Sequence, residues 1–570
     1  MNQTRLFNDD DLILKPSKWQ IKQNLPHDFE INLNVPELQA HVLFNRGITS
    51  QKEAESFLIA DDRLNCDHGL LPNISAAVDL VSTKLNTNQR VAVFGDFDVD
   101  GISGTAILSD LMSYLGAKHI TYIPHRVKEG HSLNESAIHY LKSQDVSLII
   151  TVACGTTAFD EVNLAKSLGI NVVITDHHIA NERMPDDVPV INPGLPESKY
   201  PFQHLTGAGV ALKFAEAVCE NFNQEPPKHW KVLAALGTIA DLGPLIGENR
   251  FIVKQGLEML KDTDMVGIRA LARQADVNLS TITARDLSFT LIPRLNAAGR
   301  LDSADTSLEI LTTKDASRAE YLAGHLEQLN TSRRGLTTKA IKLADKIVAE
   351  KELYNSPSIF IHEPTWHPGI LGLIAGRLSE KHSRPVVAAC TENSFIRASA
   401  RGPKGFEILQ AMIETKLDFL KIGGHSQAAG FMLRLEQIQK FKENFNQNIR
   451  SQSKNQIQTT PITYDCEIKL QEINSENLKF LKSLEPFGQA NPEPVFLTRK
   501  LKVYESRTVG KTGSHIKMVL GDGSTKFDAI AFRLGERFDE LGAEINAVYK
   551  LRENYWGGQI TIQLQVIDFQ

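Results

Sequence analysis

The sequence predicts an α/β protein: a parallel-sheet domain and a second α/β domain joined by a long helix, followed by a C-terminal β-barrel. Three observations support this. Apolar runs alternate with amphipathic segments through the first half, a long charged periodic stretch lies near the middle, and short alternating strands with glycine turns end the chain. The expected segments are an N-terminal helical extension (1–75), the parallel-sheet domain (76–310), the long helix (311–353), the second α/β domain (354–455) and the barrel (456–570).

Composition supports several domains in one chain. Its 570 residues suggest about three or four domains. No apolar run approaches bilayer length, and the first residues lack a basic segment leading into an apolar one, so we expect neither a membrane span nor export, and a cytoplasmic location. The five cysteines are scattered without CxxC spacing, which favours reduced thiols over disulfides or a zinc site.

The overall charge is not that of a typical nucleic-acid-binding protein. The formal net charge is −6, and the pI is near 6.3. A polyanion is steered by the local field, so a basic groove separate from an acidic metal site remains compatible with this total.

The first domain shows a βαβ pattern. "RVAVFGD", "VSLIITV" and "INVVITD" read as buried strands, and "SGTAILSDLMSYLGA" and "AFDEVNLAKSLG" read as helices between them. Ligands of such sheets bind outside the carboxyl ends of the strands. The polar residues at those ends are therefore the candidate functional residues.

The first strand runs into "GDFDVDG", which carries Asp96, Asp98 and Asp100. If strand geometry persisted, the three carboxylates would project to one side and repel one another unless they were protonated or bound to a cation. Mg²⁺ or Mn²⁺ suits such oxygen ligands. A solvated acidic turn is the commoner fate of an isolated DxD.

Two further segment ends carry ligand-type side chains. "TDHH" contributes His177, and "GTIADLGPL" contributes Asp241. A lone histidine pair is usually structural and a lone aspartate after a helix is usually a cap. Together with Asp98 and Asp100, however, these residues supply oxygen and imidazole from separate segments of one βαβ region, which favours a metal site.

The chain contains, in this order, "GDFDVDG", "TDHH", "GTIADLGPL", "PRLNAAGR", "WHPGILG", "SARG" and "GGHSQAAGF". The combination resembles the DHH phosphoesterase superfamily and, within it, the RecJ family of single-stranded-DNA-specific exonucleases. The resemblance covers nearly the whole chain. It implies a DHH domain, a DHHA1 domain and an OB-fold.

The resemblance also implies a mechanism. Two Mn²⁺ or Mg²⁺ ions would activate water for hydrolysis of single-stranded DNA from its 5′ end to 5′-mononucleotides, in recombination and repair. The resemblance assigns the catalytic role to Asp98, Asp100, His177, His178 and Asp241.

Within that group, the implied metal ligands are Asp98, Asp100, His177 and Asp241. Asp96 and Asp176 would support them. His178 would lie near the scissile phosphate, where it stabilises charge or assists proton transfer.

One position departs from the family pattern. The family has a metal-bridging aspartate in a "TVDxG" segment, and this chain reads "TVACG", with Ala153 at that metal position. Alanine offers no oxygen ligand. We interpret Ala153 as the replacement of that aspartate, either by deliberate substitution or by natural loss. The replacement would weaken the two-ion site and block catalysis.

The resemblance places contacts to DNA or its 5′-phosphate at the cleft between the two lobes. Arg300, Ser399 and Arg401 would hold the terminal phosphate, because guanidinium forks suit phosphate oxygens. His131 replaces a usual aromatic, so stacking there would be less extensive. The full predicted set is Arg126, His131, Arg294, Asn296, Arg300, His367, Arg397, Ser399, Arg401 and His425.

The remaining segments are predicted from their residue patterns. The stretch from "TSLEIL" to "VAEKEL" favours a long helix, interrupted at most once, that serves as a spacer. Around Trp366 and His367, a loop and a helix beginning at Gly369 predict an anion site at a helix N-terminus. In the barrel, Tyr504, Lys517, Tyr555 and Trp556 are candidates for stacking on single strands, although core packing competes for these positions.

The resemblance suggests a monomer that acts on single-stranded DNA with a 5′ end, together with single-strand-binding protein and a RecQ-type helicase. Two alternatives remain open. A DHH phosphodiesterase for short oligonucleotides or cyclic dinucleotides would share the metal site without needing the tail. A non-catalytic DNA-binding relative would carry Ala153 naturally.

Overall fold

The computed structural model describes residues 19–26, 35–180, 183–453, 461–556 and 559–570. The strands are β1 (Trp19–Ile21), β2 (Arg90–Gly95), β3 (His119–Tyr122), β4 (Val146–Val152), β5 (Asn171–Thr175), β6 (Val190–Ile191), β7 (Ile359–His362), β8 (Val386–Glu392), β9 (Phe395–Arg401), β10 (Lys421–His425), β11 (Ala428–Arg434), β12 (Ile462–Tyr464), β13 (Cys466–Glu467), β14 (Phe496–Val509), β15 (His515–Gly521), β16 (Lys526–Ala531), β17 (Glu544–Trp556) and β18 (Gln559–Phe569).

The helices are α1 (Glu37–Phe44), α2 (Gln51–Ile59), α3 (Ile74–Asn86), α4 (Val99–Tyr114), α5 (Glu135–Ser143), α6 (Phe159–Ser167), α7 (Gly207–Asn221), α8 (Trp230–Ala240), α9 (Gly247–Leu260), α10 (Val266–Ala275), α11 (Ala284–Asp286), α12 (Ile292–Leu301), α13 (Asp305–Thr312), α14 (Ala316–Glu350), α15 (Leu371–His382), α16 (Ile408–Ile413), α17 (Ile438–Ser453) and α18 (Ser475–Ser483). A π-helical turn, Leu287–Leu291, joins α11 to α12.

The first domain is built on a five-stranded parallel sheet in the order β3-β2-β4-β5-β6. Strands β2, β4, β5 and β6 are mostly buried because separate apolar cores form on the two faces, whereas the edge strand β3 is partly exposed. The larger core packs α4, α7 and α8 against one face, and the smaller packs α5 and α6 against the other. The predicted parallel α/β domain is confirmed.

The long helix is continuous over Ala316–Glu350, and a separate helix, α13, precedes it. The break is local, because the Asp315 carboxylate caps α14 by accepting hydrogen bonds from the amides of Ser317 and Arg318. The first half of α14 packs in the core of the first domain and the second half in that of the next domain. The predicted long connecting helix is confirmed, and it is packed on both of the domains that it joins.

The second α/β domain has a five-stranded mixed sheet in the order β10-β11-β9-β8-β7, in which β7 and β8 are parallel and the other pairs are antiparallel. The expected helix start at Gly369 is displaced. Pro368–Ile370 form a single 3₁₀ turn, capped by the His367 imidazole, and the α-helix begins at Leu371. Trp366 lies in the core of this domain.

The C-terminal strands form a barrel, as predicted. Their order is β13-β14-β15-β16-β18-β17, and the sheet closes because the long β14 pairs with β17 as well as with β15. The N-terminal helices contribute to the same core: Leu43 and Phe57 pack with Phe496 and Phe569. In addition, β1 pairs with β12.

Across the part of the chain that the structure describes, none of the helices combines the length and the apolar character that crossing a bilayer requires.

Candidate active site

The acidic motif does not keep strand geometry. Strand β2 ends at Gly95, Asp98 is the N-cap of α4, and Asp100 lies in the first turn of that helix. The three carboxylates therefore point to different partners. Asp96 accepts a hydrogen bond from the Phe97 amide at 2.6 Å, and Asp98 accepts one from the Gly101 amide at 3.0 Å. The expectation that all three share one side is wrong, because the helix begins inside the motif.

Asp100 is fixed by the N-terminus of a second helix, α7. Its two carboxylate oxygens accept hydrogen bonds from the amides of Gly207 at 2.7 Å and Ala208 at 2.9 Å. The positive end of α7 thus holds a buried carboxylate in one orientation.

Asp100, His177 and Asp241 form the candidate metal cluster. The His177 Nε2 atom lies 3.5 Å from Asp100 Oδ2, and His177 Nδ1 lies 3.8 Å from Asp241 Oδ2. One donor atom from each residue falls within 4.8 Å of the other two. The sheet brings two of these residues together, because Asp100 follows β2 and His177 follows β5 at the same edge of the sheet. Asp241 is the C-cap residue of α8.

The electrostatics of this cluster favour a cation. Burial, together with the charges of Asp100 and Asp98, raises the pKa of Asp241 to about 8. Burial and Asp98 also raise the pKa of Asp100, against the opposing effect of His177. A dication would relieve both the burial and the repulsion, and carboxylate and imidazole donors suit Mn²⁺ or Mg²⁺. These residues fit such an ion.

Ala153 lies at the edge of this cluster. It follows β4, is buried, and has a φ of +54°, the left-handed region that aspartate, asparagine and glycine enter more easily than alanine. A Cβ placed on Gly207 would lie 2.4 Å from the Ala153 Cβ and 2.8 Å from Asp100 Oδ2. A side chain at 153 therefore starts beside the Asp100 carboxylate. An aspartate there would add a carboxylate to this cluster, where alanine contributes only a methyl group.

Asp176 organises the histidine pair. Its Oδ1 atom accepts hydrogen bonds from the His177 amide at 2.8 Å and from His178 Nδ1 at 2.8 Å, and Oδ2 accepts from the Thr156 amide at 2.9 Å. The bond from Asp176 raises the pKa of His178 to about 9. His178 is therefore a half-exposed imidazolium at neutral pH, suited to meeting a phosphate.

A strongly basic cavity lies between the two α/β domains. Its volume is about 140 Å³, which suits a phosphate group, and Gly372 leaves it open: a Cβ there would lie 3.0 Å from Arg401 Nη2. Five of the predicted DNA-contact residues line it together, namely Arg126, Arg300, Arg397, Ser399 and Arg401.

Arg126 connects the cavity to the metal side. Its guanidinium lies 3.7 Å from the centre of the Phe97 ring, inside the acidic motif, and its Nε atom donates to the Gly299 carbonyl at 3.0 Å. Arg397 donates to the Val127 carbonyl at 3.0 Å, which ties β9 to the first domain. The end of a DNA strand bound in the cavity would thus lie near the metal cluster.

The structure does not bring the other predicted contacts into the cavity. Arg294 forms an ion pair with Glu327 at 2.5 Å, and Asn296 is half-buried. His367 serves as the cap described above, and His131 and His425 are exposed.

The barrel candidates are described in part. Tyr504 is exposed, with Lys526 Nζ 3.8 Å from the centre of its ring, and Lys517 is half-buried. The side chains of Tyr555 and Trp556 lie outside the described residues. Phe532, half exposed and packed edge-on against His515, is a further exposed aromatic residue of the barrel.

Sequence reasoning missed a junction behind the metal cluster. The fully buried Arg250 of α9 donates to five main-chain carbonyls, those of Phe57, Ser483, Leu484, Glu485 and, at 3.5 Å, Pro486. In the same region the Leu245 amide donates to the Gln489 carbonyl at 2.7 Å. The segment 483–491, which leads into the barrel and is called the connector below, is thereby held against Leu245, four residues after Asp241. No local sequence signal marks Arg250, because its partners are backbone atoms.

Three protein-family profiles match the chain. The DHH family N-terminal domain matches residues 90–238, the DHHA1 domain matches 354–451, and the RecJ OB domain matches 464–568.

Curated proteins and solved structures are similar over most of the chain. The single-stranded-DNA-specific exonuclease RecJ of Bacillus subtilis is 31% identical over 565 residues, which cover 98% of this chain and 71% of the relative. The protein of the same name from Haemophilus influenzae is 33% identical, covering 87% of this chain and 90% of the relative. The crystal structure of RecJ in complex with Mn²⁺ from Thermus thermophilus has a TM-score of 0.82 and 28% identity, over 97% of this chain and 79% of that chain.

Proposed function

Because the chain belongs to the RecJ family of single-stranded-DNA-specific exonucleases, we propose that it is built to hydrolyse single-stranded DNA with divalent metal ions, starting at a 5′ end. The observation that carries the proposal is the basic cavity next to the Asp100, His177 and Asp241 cluster. If the cavity holds the terminal phosphate, the first phosphodiester bond lies at the metal cluster, so each cut releases one nucleotide.

The geometry of the site supports the following roles. Arg300, Arg401 and Ser399 bind the chain-end phosphate through charged and neutral hydrogen bonds. Asp100, His177 and Asp241, with Asp98 beside them, hold Mn²⁺ or Mg²⁺, which when bound supplies a nucleophilic water and neutralises phosphate charge.

His178, kept protonated by Asp176, donates a hydrogen bond to the non-bridging or leaving oxygen of the scissile phosphate. Because the same imidazolium carries a proton, it can also supply that proton to the leaving group.

Ala153 lowers the activity of this chain. With no carboxylate at the edge of the cluster, repulsion between two dications is less well compensated, and we propose that at least one ion binds weakly. The left-handed backbone at Ala153 supports the idea that the position is shaped for aspartate. The same residue favours a second candidate function, a non-catalytic DNA-binding member of the family.

We further propose a cytoplasmic monomer that cooperates with a RecQ-type helicase and with single-strand-binding protein. A helicase produces the free single strands that such a cavity requires, and a single-strand-binding protein keeps them unpaired. The match of residues 464–568 to the RecJ OB domain supports long strands, rather than very short oligonucleotides or cyclic dinucleotides, as substrates.

The direction of cleavage is tested with the Ala153→Asp variant in Mn²⁺. Single-stranded DNA is labelled either at its 5′ nucleotide or at its 3′ nucleotide. We expect labelled mononucleotide at the earliest times only from the 5′ label, and no product from a blunt duplex. Early release of the 3′ nucleotide, or internal cuts, would contradict the proposed polarity.

A further inference from the structure

The segment 124–130 lies between β3 and α5 and carries Arg126; it is called the Arg126 loop below. Arg126 and the next residue, Val127, both line the basic cavity, so the loop forms part of the cavity wall. The Val127 carbonyl also accepts a hydrogen bond from Arg397 of β9, which lines the same cavity. The conformation of this loop therefore decides where the Arg126 guanidinium meets a phosphate.

The loop is closed at its base by the carboxylate of Glu129. Its Oε1 atom accepts a hydrogen bond from the Tyr122 hydroxyl at 2.6 Å, and its Oε2 atom accepts one from the His125 amide at 2.8 Å. The Glu129 amide donates to the His125 carbonyl at 2.9 Å. One side chain thus joins the last residue of β3 to the start and the end of the loop.

Tyr122 attaches this closure to the central sheet. Its ring stacks on the fully buried Phe94 of β2, with the ring centres 5.4 Å apart and the ring planes 10° apart. Burial and the hydrogen bond to Glu129 raise the pKa of Tyr122, so the hydroxyl stays protonated and donates to the carboxylate. Hydrogen bonds to a charged acceptor are the stronger kind, and Glu129 is therefore firmly tied to the sheet.

The turn that contains Arg126 depends on His125. The His125 Nδ1 atom accepts hydrogen bonds from the amides of Val127 at 3.2 Å and Lys128 at 3.4 Å, and these bonds span Arg126. Among the described residues Arg126 makes no ion pair, and its Nε atom donates to the Gly299 carbonyl. Because no carboxylate holds the guanidinium, its position follows from the backbone of the loop and from the hydrogen bonds that hold that backbone.

The charge of Glu129 alone has the opposite effect on a phosphate. A carboxylate three residues from Arg126 lowers the positive potential that attracts an anion. If this field were its only contribution, removal of Glu129 would tighten phosphate binding. Removal of a support of the Arg126 loop would weaken that binding instead. The two contributions differ in sign, which makes them separable by experiment.

On the basis of the proposed function, we infer that Glu129 is a positioning residue for the chain-end phosphate. By accepting hydrogen bonds from Tyr122 and from the His125 amide, it holds the Arg126 loop in the conformation that presents the guanidinium to the cavity. Glu129 itself is not among the residues that line the cavity. The preference for a 5′-phosphate over a 5′-hydroxyl end therefore depends on a carboxylate that acts through Arg126.

The test compares binding of one single-stranded oligonucleotide with a 5′-phosphate or a 5′-hydroxyl end. Fluorescence anisotropy is recorded on the full chain in EDTA, so that nothing is cut. The parent chain should bind the phosphate end about tenfold or more tightly, the scale of one charged hydrogen bond. Glu129→Ala should lower that ratio to about twofold and change the affinity for the hydroxyl end by less than about twofold. Tyr122→Phe removes one of the two anchors and should lower the ratio by about two- to threefold.

Two further variants serve as controls. Glu129→Gln removes the charge but keeps an oxygen that accepts a hydrogen bond, so it should retain most of the phosphate preference. Glu135→Ala removes the same charge from an exposed position at the start of α5, where the carboxylate lies 3.7 Å from His139, and should leave the ratio unchanged. Hydrogen exchange of the Val127 and Lys128 amides reports on the loop directly and should be faster in Glu129→Ala and unchanged in Glu135→Ala.

The outcomes separate two failures. If the parent chain prefers the phosphate end and Glu129→Ala keeps or increases that preference, Glu129 acts by its charge or not at all, and this inference alone is overturned. If Glu129→Ala weakens binding of both ends by the same factor, Glu129 is a general support of the fold and not a positioning residue. Equal affinity of the parent chain for both ends overturns the chain-end cavity itself, and with it the proposed function.

Discussion

Removal of the Arg250 guanidinium should loosen the junction between the metal cluster and the barrel. The residue is fully buried and makes five hydrogen bonds to main-chain carbonyls, four of them between 2.7 and 3.1 Å long and the fifth 3.5 Å long. Arg250→Met fills a similar volume but leaves these carbonyls without a donor. Charged hydrogen bonds contribute roughly 1.5–3 kcal/mol each, but the cost of burying the cation offsets part of that sum. We expect a net loss of about 3–5 kcal/mol in the opening free energy of the connector.

Hydrogen exchange measures that opening directly. The amides of Leu245, Gly488 and Asn491 bond within or across the connector and should exchange faster by about two to four powers of ten. Lys254→Met is the matched control, because Lys254 lies one turn further along α9 and donates to the carbonyls of Leu58 and Ile59 from a more exposed position. Its effect on the opening free energy should stay at about 1 kcal/mol. If the two variants accelerate these amides equally, Arg250 does not hold the junction.

Two further predictions concern the site. Arg401→Ala should weaken binding of a 5′-phosphorylated oligonucleotide by roughly ten- to a hundredfold, and of a 5′-hydroxyl one by much less, because Arg401 lines the cavity for the end phosphate; equal losses in a titration would indicate a general contact. Mn²⁺ should raise the unfolding temperature of the chain, reversibly with EDTA, and Asp241→Asn should remove most of that rise because it deletes a charged member of the cluster. An unchanged Mn²⁺ effect in that variant would exclude Asp241 as a ligand.

The order of the domains is predictable from the sequence because each has its own periodicity. Continuous apolar runs mark the parallel strands, and alternation marks the barrel. What periodicity cannot show is which surfaces share a core. The N-terminal helices and the barrel lie at opposite ends of the chain, yet Phe57 and Phe569 pack in one cluster. Deleting 461–570 to test the role of the barrel would expose that cluster, so point substitutions are the better test.

The site follows the same division. Asp100, His177 and Asp241 are predictable because each lies at the junction between two recognisable segments. The orientations within "GDFDVDG" are not, because Asp98 starts a helix where the strand pattern suggests continuation. Arg250 is hidden for another reason. It is a single arginine in an ordinary helix, and only the packing of distant segments decides that it meets main-chain carbonyls instead of solvent.

The most direct test of the central claim is the rate of Mn²⁺-dependent degradation of 5′-phosphorylated single-stranded DNA, measured for this chain and for its Ala153→Asp variant. We expect an increase of several orders of magnitude in the variant, because a carboxylate at 153 would lie beside Asp100 and would help to hold the metal ions that activate water. Double-stranded DNA should remain resistant. If the variant binds Mn²⁺ but cuts no faster than the chain with Ala153, the chain is not an exonuclease with one ligand missing, and a non-catalytic DNA-binding protein is the better description.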